Sequence, residues 1–213
     1  LYVDKRDMAI SELYNRFKKG RLILQPGFQR RYVWDDKKAS RLIESVLINI
    51  PIPPVYLAEE GKNWEVIDGQ QRLISLFRFY GPLKLGKLTF DELRLTRAGI
   101  TILEDLRGKR YKDLSEELQA SFDDYPIRVI LIKKESDSDV KFDVFERLNT
   151  GAVNLNAQEL RNCIYRGRFN DLINELAENN FLFLLGLDKP HPRMQDKELV
   201  LRFFAFYHKT YLK

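Results

Sequence analysis

Cysteine is nearly absent from this sequence, and its scarcity limits what the protein can be. Cys163 is the single cysteine among 213 residues, so no disulfide can form within the chain, and we expect a reducing cytoplasm as its compartment. Histidine is almost as scarce. His191 and His208 have no metal-binding spacing with Cys163, so we interpret both as surface or packing residues.

Long apolar runs are also missing. No run approaches the roughly 20 residues that a membrane-spanning helix needs, and no secretory signal pattern opens the chain, so we expect no membrane partner. The chain also lacks an initiator Met and stops at the apolar sequence Tyr211-Leu212-Lys213. We therefore expect it to be a fragment of a larger protein.

The composition that is present is typical of a soluble globular protein, with 44% hydrophobic and 31% charged residues and enough chain for one large domain or two small ones. The net charge of +5 is concentrated near the start. Residues 1–41 carry 11 Lys and Arg against 5 Asp and Glu, or +6, which leaves −1 for the rest. A basic face there could meet phosphates of a nucleotide or of DNA, and a solvated helix face is the alternative.

The most informative stretch is residues 64–77, which predict a short strand, a tight turn and a helix. The apolar residues of this helix share one face: Leu73, Leu76, Phe77 and Tyr80. The strand ends at Asp68, so Gly69 and Gln70 lie where the first helical N–H groups have no intrahelical partner, a position that suits phosphate. Arg72 strengthens this prediction, because a cation in the first turn opposes the helix dipole unless an anion binds beside it.

The same residues also have a purely structural interpretation. Asp68 could cap the helix, Gly69 could serve the turn alone, and Arg72 could be solvated or pair with a neighbouring carboxylate. The local sequence leaves both interpretations open.

Residues 22–34 predict an extended loop that combines aromatic residues with arginines and glutamines. Loops of this composition carry binding chemistry more often than packing. The alternative is that Phe28, Tyr32 and Trp34 pin the loop to the core, and we expect at least two of them to do so. Tyr32 and Trp34 could instead stack on an exposed base of DNA.

Helices and short strands alternate along the rest of the first part. We predict a helix over residues 8–19 capped by Asp7, and a second helix, capped by Asp35 or Asp36, that has Ile50 on its buried face.

Two further stretches before residue 137 are strand-like, and one resembles a nucleotide motif. A hairpin over residues 55–67 leads into the turn, and residues 126–133 are apolar enough to lie in the middle of a sheet. Residues 81–87 match the start of a P-loop, but Leu88 stands where Ser or Thr is required and Pro82 lacks a needed N–H. We therefore reject the P-loop.

From residue 137 the pattern is helical, and Asn156 with Glu159 fits a capping box at one helix start. The sequence therefore predicts an α+β fold. Residues 1–136 form a small mixed sheet flanked by helices, with the turn at its edge, and residues 137–213 form a helical subdomain.

Four ordered motifs resemble a known family. They are Phe28-Gln29-Arg30-Arg31-Tyr32-Val33-Trp34, Ile67-Asp68-Gly69-Gln70-Gln71-Arg72, Phe145-Glu146-Arg147-Leu148-Asn149-Thr150-Gly151 and Glu159-Leu160-Arg161-Asn162. In this order they resemble the N-terminal domain of GmrSD-type restriction endonucleases, the domain of unknown function numbered 262, whose fold is similar to ParB and sulfiredoxin. The resemblance covers nearly the whole chain.

The resemblance implies that the domain binds and hydrolyses a nucleoside triphosphate, ATP, GTP or CTP, with Mg²⁺ in an antiphage defence protein. It assigns phosphate binding to Gly69, Gln70, Gln71 and Arg72. It also implies that Asp68 holds a magnesium ion or orients the attacking water. Since charge stabilisation does most of the work in phosphoryl transfer, Arg72 and Mg²⁺ matter more than any nucleophile.

The other motifs supply further members of the implied site. Gln29, Arg30 and Arg31 are candidates for contacts with the triphosphate or the base, and Asn149 and Thr150 would close the pocket from the helical side.

Relatives often carry an HNH nuclease domain after this one, and no HNH motif lies in these 213 residues. We therefore expect DNA cleavage to belong to a C-terminal continuation, regulated by the nucleotide cycle and directed at modified or foreign DNA. A nucleotide-gated DNA-binding module without hydrolysis and a sensor of modified DNA are the alternatives.

Overall fold

The computed structural model describes residues 2–24, 32–86, 88–133, 158, 161, 168–178, 186 and 194–211. The chain divides into two compact units. The described residues up to 133 belong to the first unit, and those from 158 onward belong to the second. Each unit has a hydrophobic core of its own.

A five-stranded mixed sheet forms the centre of the first unit. Its strands are β1 (Val3–Ala9), β2 (Leu22–Ile23), β3 (Val55–Glu60), β4 (Asn63–Asp68) and β7 (Pro126–Ile132). They lie in the order β1-β7-β3-β4-β2. The β1–β7 and β3–β4 pairs are antiparallel, whereas β3–β7 and β2–β4 are parallel. A separate hairpin consists of β5 (Leu83–Leu85) and β6 (Leu88–Phe90).

Helices accompany the sheet, so the predicted α+β class is confirmed. The first unit contains α1 (Ile10–Lys18), α2 (Asp36–Leu47), α3 (Gln70–Tyr80) and α4 (Glu116–Asp124). Single 3-10 turns occur at Glu104–Leu106 and Tyr111–Asp113. The small mixed sheet with adjoining helices is also the arrangement that the family resemblance implied.

Strand β7 is an interior strand of the sheet, as its apolar sequence predicted. It lies between β1 and β3, and its alternate residues Ile127, Val129 and Leu131 are fully buried. The hairpin over residues 55–67 and the helix after residue 69 are confirmed as well. The rejected P-loop is the β5–β6 hairpin with Gly86 at its turn, so that rejection was correct.

Two predicted boundaries were wrong. The first helix begins at Ile10 rather than residue 8, because the backbone of Asp7 and Met8 pairs with β7, and Asp7 forms an ion pair with Arg128 instead of a cap. The second helix is capped by Asp35, as one alternative predicted, but ends at Leu47.

Ile50 lies beyond that helix and is 47% exposed rather than buried. Asn49 adopts a left-handed conformation with φ 60°, which turns the chain away from the helical face before it reaches Ile50.

The described part of the second unit is helical. It consists mainly of α5 (Arg168–Glu178) and α6 (Gln195–Tyr211), which contact each other through the buried Ile173, Ala177 and Val200. Within the described residues, no helix is both long and apolar enough to cross a membrane.

Candidate functional site

The turn between β4 and α3 consists of residues 68–72 and is called the 68–72 turn below. β4 ends at Asp68, Gly69 is left-handed at φ 96° and ψ 6°, and α3 starts at Gln70. Gly69 is the N-cap and offers no side-chain acceptor to the first helical N–H groups. A left-handed residue followed by a right-handed one turns successive N–H groups toward the same side, which is a geometry that binds anions.

Glycine is required at position 69 for two independent reasons. Its φ lies in the region that other residues rarely adopt. A Cβ built there would also lie 2.5 Å from Cγ1 of Val55 at the start of β3, and 3.2 Å from Nη2 of Arg72. The missing side chain therefore lets the backbone of the turn approach both β3 and the guanidinium.

The guanidinium of Arg72 lies mostly buried beside the turn, with 13% of the side chain exposed. Its Nη2 donates to Asp68 Oδ2 at 2.7 Å and to the carbonyl oxygen of Pro54 at 3.1 Å. The pairing with a neighbouring carboxylate, one of the two sequence interpretations, is thus present, and that carboxylate belongs to the same turn. Nε and Nη1 of Arg72 make no hydrogen bond to the described residues.

Gln70 has a buried side chain, with 7% of the residue exposed. Its Oε1 accepts a hydrogen bond from Gln71 Nε2 at 3.3 Å, whereas its own Nε2 is buried without a partner. A buried donor without an acceptor costs on the order of 1–3 kcal/mol. An additional acceptor that bonds this Nε2 at the start of α3 would therefore stabilise the protein.

The side chain of Gln71 faces the chain segment that ends the long loop. Its Oε1 accepts hydrogen bonds from the backbone N–H groups of Val33, at 2.8 Å, and of Trp34, at 3.1 Å. The structure thus brings the end of the first family motif, residues 28–34, onto the first turn of α3. That turn contains the end of the second family motif, residues 67–72.

Tyr32 is anchored farther along the same helix. Its hydroxyl lies 2.9 Å from Ser75 Oγ and accepts a hydrogen bond from Arg78 Nη1 at 3.3 Å, and its ring packs edge-on against Phe90. Trp34 is also partly buried against the core. These contacts favour the packing interpretation of both rings over stacking on a base.

Arg78 is a buried residue that the sequence reasoning missed. It forms an ion pair with Asp36 at 3.0 Å and donates through Nε to the carbonyl oxygen of Asp91 at 3.0 Å. The available signal was its spacing on α3, because Gln71, Ser75 and Arg78 follow each other at helical intervals of four and three residues.

The remaining predicted site residues cannot be placed. Gln29, Arg30, Arg31, Asn149 and Thr150 lie outside the described residues, as do Asn156 and Glu159 of the predicted capping box.

A three-residue metal cluster of His, Cys, Asp or Glu is not found within the described part of the chain. Asp68 is 52% exposed, and its Oδ1 makes no hydrogen bond to described residues. Mg²⁺ commonly binds through one or two carboxylates together with water and substrate phosphates, so a single carboxylate oxygen at the turn fits that donor set.

A second group of cations surrounds Trp64. The guanidinium carbon of Arg16 lies 3.5 Å from the indole centroid, that of Arg6 lies 5.7 Å from it, and Arg16 Nε is buried without a partner. Burial lowers the pKa of Arg16, and the charges of Arg21 and Arg6 lower it further. We call Arg6, Arg16 and Arg21 the arginine cluster.

The fold and turn together define an α+β domain in which a mixed sheet presents a glycine turn with anion-binding geometry at a helix start. Residues 10–166 match the family model described as GmrSD restriction endonuclease, N-terminal domain, and all four sequence motifs fall within that range. The chain belongs to this family and is therefore a domain of a restriction system. A search of curated proteins gave no match.

Proposed function

We propose that the domain binds a nucleoside triphosphate with Mg²⁺ at the 68–72 turn and hydrolyses it slowly. The nucleotide cycle then regulates a nuclease domain in the same antiphage protein, which acts on modified or foreign DNA. The observation that carries the proposal is the left-handed Gly69 at the start of α3, beside the guanidinium of Arg72. It collects backbone N–H donors and a cation on one turn, a combination suited to phosphate.

The donors that remain around the turn support an anionic ligand. Arg72 uses only Nη2 toward described residues, so Nε and Nη1 are left for phosphate oxygens. The buried Nε2 of Gln70 is a further donor that has no acceptor. Backbone N–H groups of Gly69, Gln70 and Gln71 complete the proposed phosphate contacts.

Asp68 has two roles in the proposal, one for each carboxylate oxygen. Oδ2 accepts from Arg72 and holds the guanidinium beside the turn. Oδ1 is the oxygen available to hold Mg²⁺ or to orient the attacking water. Bound Mg²⁺ would neutralise charge on the phosphate oxygens. The role of the protein's own residues is to position the phosphate and to place Arg72 where charge develops.

Phosphate release from ATP, GTP and CTP with Mg²⁺ tests the proposal on wild type and Arg72→Ala. We expect release by wild type and a loss of at least about a hundredfold in the variant, because a preorganised cation at the reacting phosphate is removed. Arg107→Ala is a matched control, since Arg107 also pairs with a nearby carboxylate, Glu104 at 2.9 Å, and donates to a backbone carbonyl.

Three outcomes of this experiment are informative. Nucleotide binding without release by wild type would support a nucleotide switch that needs no hydrolysis. Equal losses in Arg72→Ala and Arg107→Ala would indicate a general effect on folding, which circular dichroism of both variants would reveal. Absence of any nucleotide binding by folded wild type would contradict the proposal and leave the turn a structural element.

DNA is the second proposed partner, and the arginine cluster supports it. The guanidinium groups of Arg6 and Arg16 lie against the Trp64 ring, and the charge of Arg21 also acts on Arg16, which is partly desolvated and has a buried Nε without an acceptor. Phosphodiester oxygens would accept from these donors and relieve the repulsion among the cations.

A further inference from the structure

We propose that Gln71 is a positioning residue whose side-chain oxygen holds residues 32–34 on the first turn of α3. Its side chain does not contact phosphate. The inference rests on the proposed function where it concerns nucleotide, and it gives Gln71 a role different from the phosphate ligand that the family resemblance implied.

The hydrogen bonds of Gln71 determine which way its amide group faces. Oε1 accepts from the N–H groups of Val33 and Trp34, at 2.8 and 3.1 Å, which uses both lone pairs of a carbonyl oxygen. Two donors at one position require the oxygen there, so the amide cannot be turned around. Nε2 consequently points to Gln70 Oε1 at 3.3 Å.

Three side chains of α3 hold residues 32–34, and Gln71 is the one that bonds their backbone. Gln71, Ser75 and Arg78 follow each other on α3, and the other two hold the hydroxyl of Tyr32 at 2.9 and 3.3 Å. These two fix the ring of Tyr32, whereas Gln71 fixes the main chain of the next two residues. The segment therefore lies along the helix with its backbone set at the end nearest to the 68–72 turn.

The exposure of Val33 allows the effect of Gln71 on the position of residues 32–34 to be distinguished from an effect on the folding free energy. Val33 is 65% exposed, so water can replace the Gln71 oxygen at its N–H when the side chain is shortened. At the Val33 N–H, loss of the acceptor therefore costs little folding free energy but frees the backbone. Residues 29–31 directly precede this segment in the sequence, and they include the candidate nucleotide contacts Gln29, Arg30 and Arg31.

Two substitutions distinguish an oxygen acceptor from an N–H donor at position 71. Gln71→Met keeps the length of the side chain and removes both functions, whereas Gln71→Glu keeps the acceptor and removes the donor. Gln119→Met is a matched control, because the amide of Gln119 also bonds two backbone groups, the carbonyl oxygens of Tyr111 and Leu114, away from the turn.

Hydrogen exchange at the amides of Val33 and Trp34 is the first readout and needs no nucleotide. We expect exchange roughly fivefold or more faster in Gln71→Met, and wild-type protection in Gln71→Glu and Gln119→Met, because only the first variant removes their acceptor. Unchanged exchange in Gln71→Met would overturn the inference.

Nucleotide affinity is the second readout. We expect Gln71→Met to weaken binding by about tenfold and Gln119→Met to leave it unchanged, whereas Gln71→Glu serves the exchange readout alone because its negative charge would itself repel a triphosphate at the turn. Unchanged exchange combined with lost binding in Gln71→Met would overturn the inference, because the side-chain N–H would then be the group that binds. If wild type binds no nucleotide, the proposed function fails, while the exchange result still decides whether Gln71 positions the segment.

Discussion

A comparison of Gly69 with Gly61 separates two costs of adding a side chain, the strain of a positive φ and the clash of the new Cβ with its neighbours. Both have positive φ, 96° and 61°, but a Cβ at Gly69 meets Val55 at 2.5 Å, whereas a Cβ at Gly61 meets nothing within 4 Å. We expect Gly61→Ala to lower the free energy of unfolding by about 1 kcal/mol through its backbone conformation alone. Gly69→Ala should lower the free energy of unfolding by about 3 kcal/mol, because overpacking against Val55 adds to the cost of the backbone conformation. Urea unfolding of both variants measures the difference.

The steric part can be checked in a Val55→Ala background. There the added cost of Gly69→Ala should fall toward that of Gly61→Ala, since the methyl group that it meets has been removed. Equal costs of Gly69→Ala in both backgrounds would show that Val55 is not the obstacle.

Glu44 provides a pH-dependent prediction. Burial raises the pKa of its carboxyl, but hydrogen bonds from the N–H groups of Leu103, Ile102 and Thr101 outweigh burial, so the pKa lies below its ordinary value of 4.5. A depressed folded-state pKa contributes stability above the unfolded pKa, and that contribution is lost as pH falls through the folded value.

Glu44→Gln should therefore lower the free energy of unfolding by about 2 kcal/mol at pH 7, where the carboxylate accepts several N–H groups. The difference from wild type should shrink toward pH 3. Urea unfolding at both pH values measures it, with the exposed Glu117→Gln as control. A gap that stays constant from pH 7 to pH 3 would contradict the assigned pKa direction.

These residues also show where sequence reasoning ends. Sequence patterns identified the apolar face of α3 and narrowed the cap of α2 to Asp35 or Asp36, because each depends on neighbours within one or two helical turns. The partners of Glu44 and Gln71 lie 57 and 38 residues away, at Thr101 and Val33. No local pattern encodes such pairs, so their roles required the structure.

Strand β1 illustrates the same limit for a whole element. Its sequence of mostly charged residues has no alternation of apolar and polar positions, and Met8 is its buried residue. The pairing with β7 makes it a strand, and this long-range pairing overrode the local helical pattern that continues from α1. β7 itself was predictable because its mostly apolar sequence is typical of an interior strand, and its alternate residues Ile127, Val129 and Leu131 are buried.

Tyr111 links the second 3-10 turn, Tyr111–Asp113, to α4. Its hydroxyl donates to both oxygens of Asp123, each at 3.0 Å, and its ring packs against Phe122. Burial and then the Asp123 hydrogen bond raise the pKa of Tyr111 from 10.0 to about 12. The neutral phenol is thus favoured in the folded protein, so its stabilising effect is complete below pH 10 and is lost as pH rises toward 12.

Tyr111→Phe should cost about 1 kcal/mol at pH 7, because the ring stays and the hydrogen bonds are lost. Between pH 9 and pH 11 the variant should lose less stability than wild type, as followed by urea unfolding. Asp123→Asn should bring the phenol titration, measured by tyrosinate absorbance, closer to the ordinary value. Titration of Tyr111 at its ordinary value in wild type would show that the two residues do not interact.

The charge of the molecule as a whole gives a test of the proposed DNA contact. Replacing Arg16 and Arg21 with Met should weaken binding to duplex DNA and reduce the salt dependence of log K by about 1 for each arginine that contacts phosphate. Arg107→Met with Arg202→Met removes the same charge from elsewhere, where each arginine pairs with a glutamate. Equal effects of the two double variants would assign binding to net charge rather than to the arginine cluster.

The position of β7 in the sheet also governs the order in which the protein can form during synthesis. Val3 of β1 pairs with Ile132 of β7, and β7 also separates β1 from β3. A nascent chain therefore holds both neighbours of β7 with unpaired backbone edges until residues 126–132 leave the ribosome. Until then these edges are open to pairing with other chains, so β7, the last strand of this sheet in the described residues, completes the sheet and protects β1.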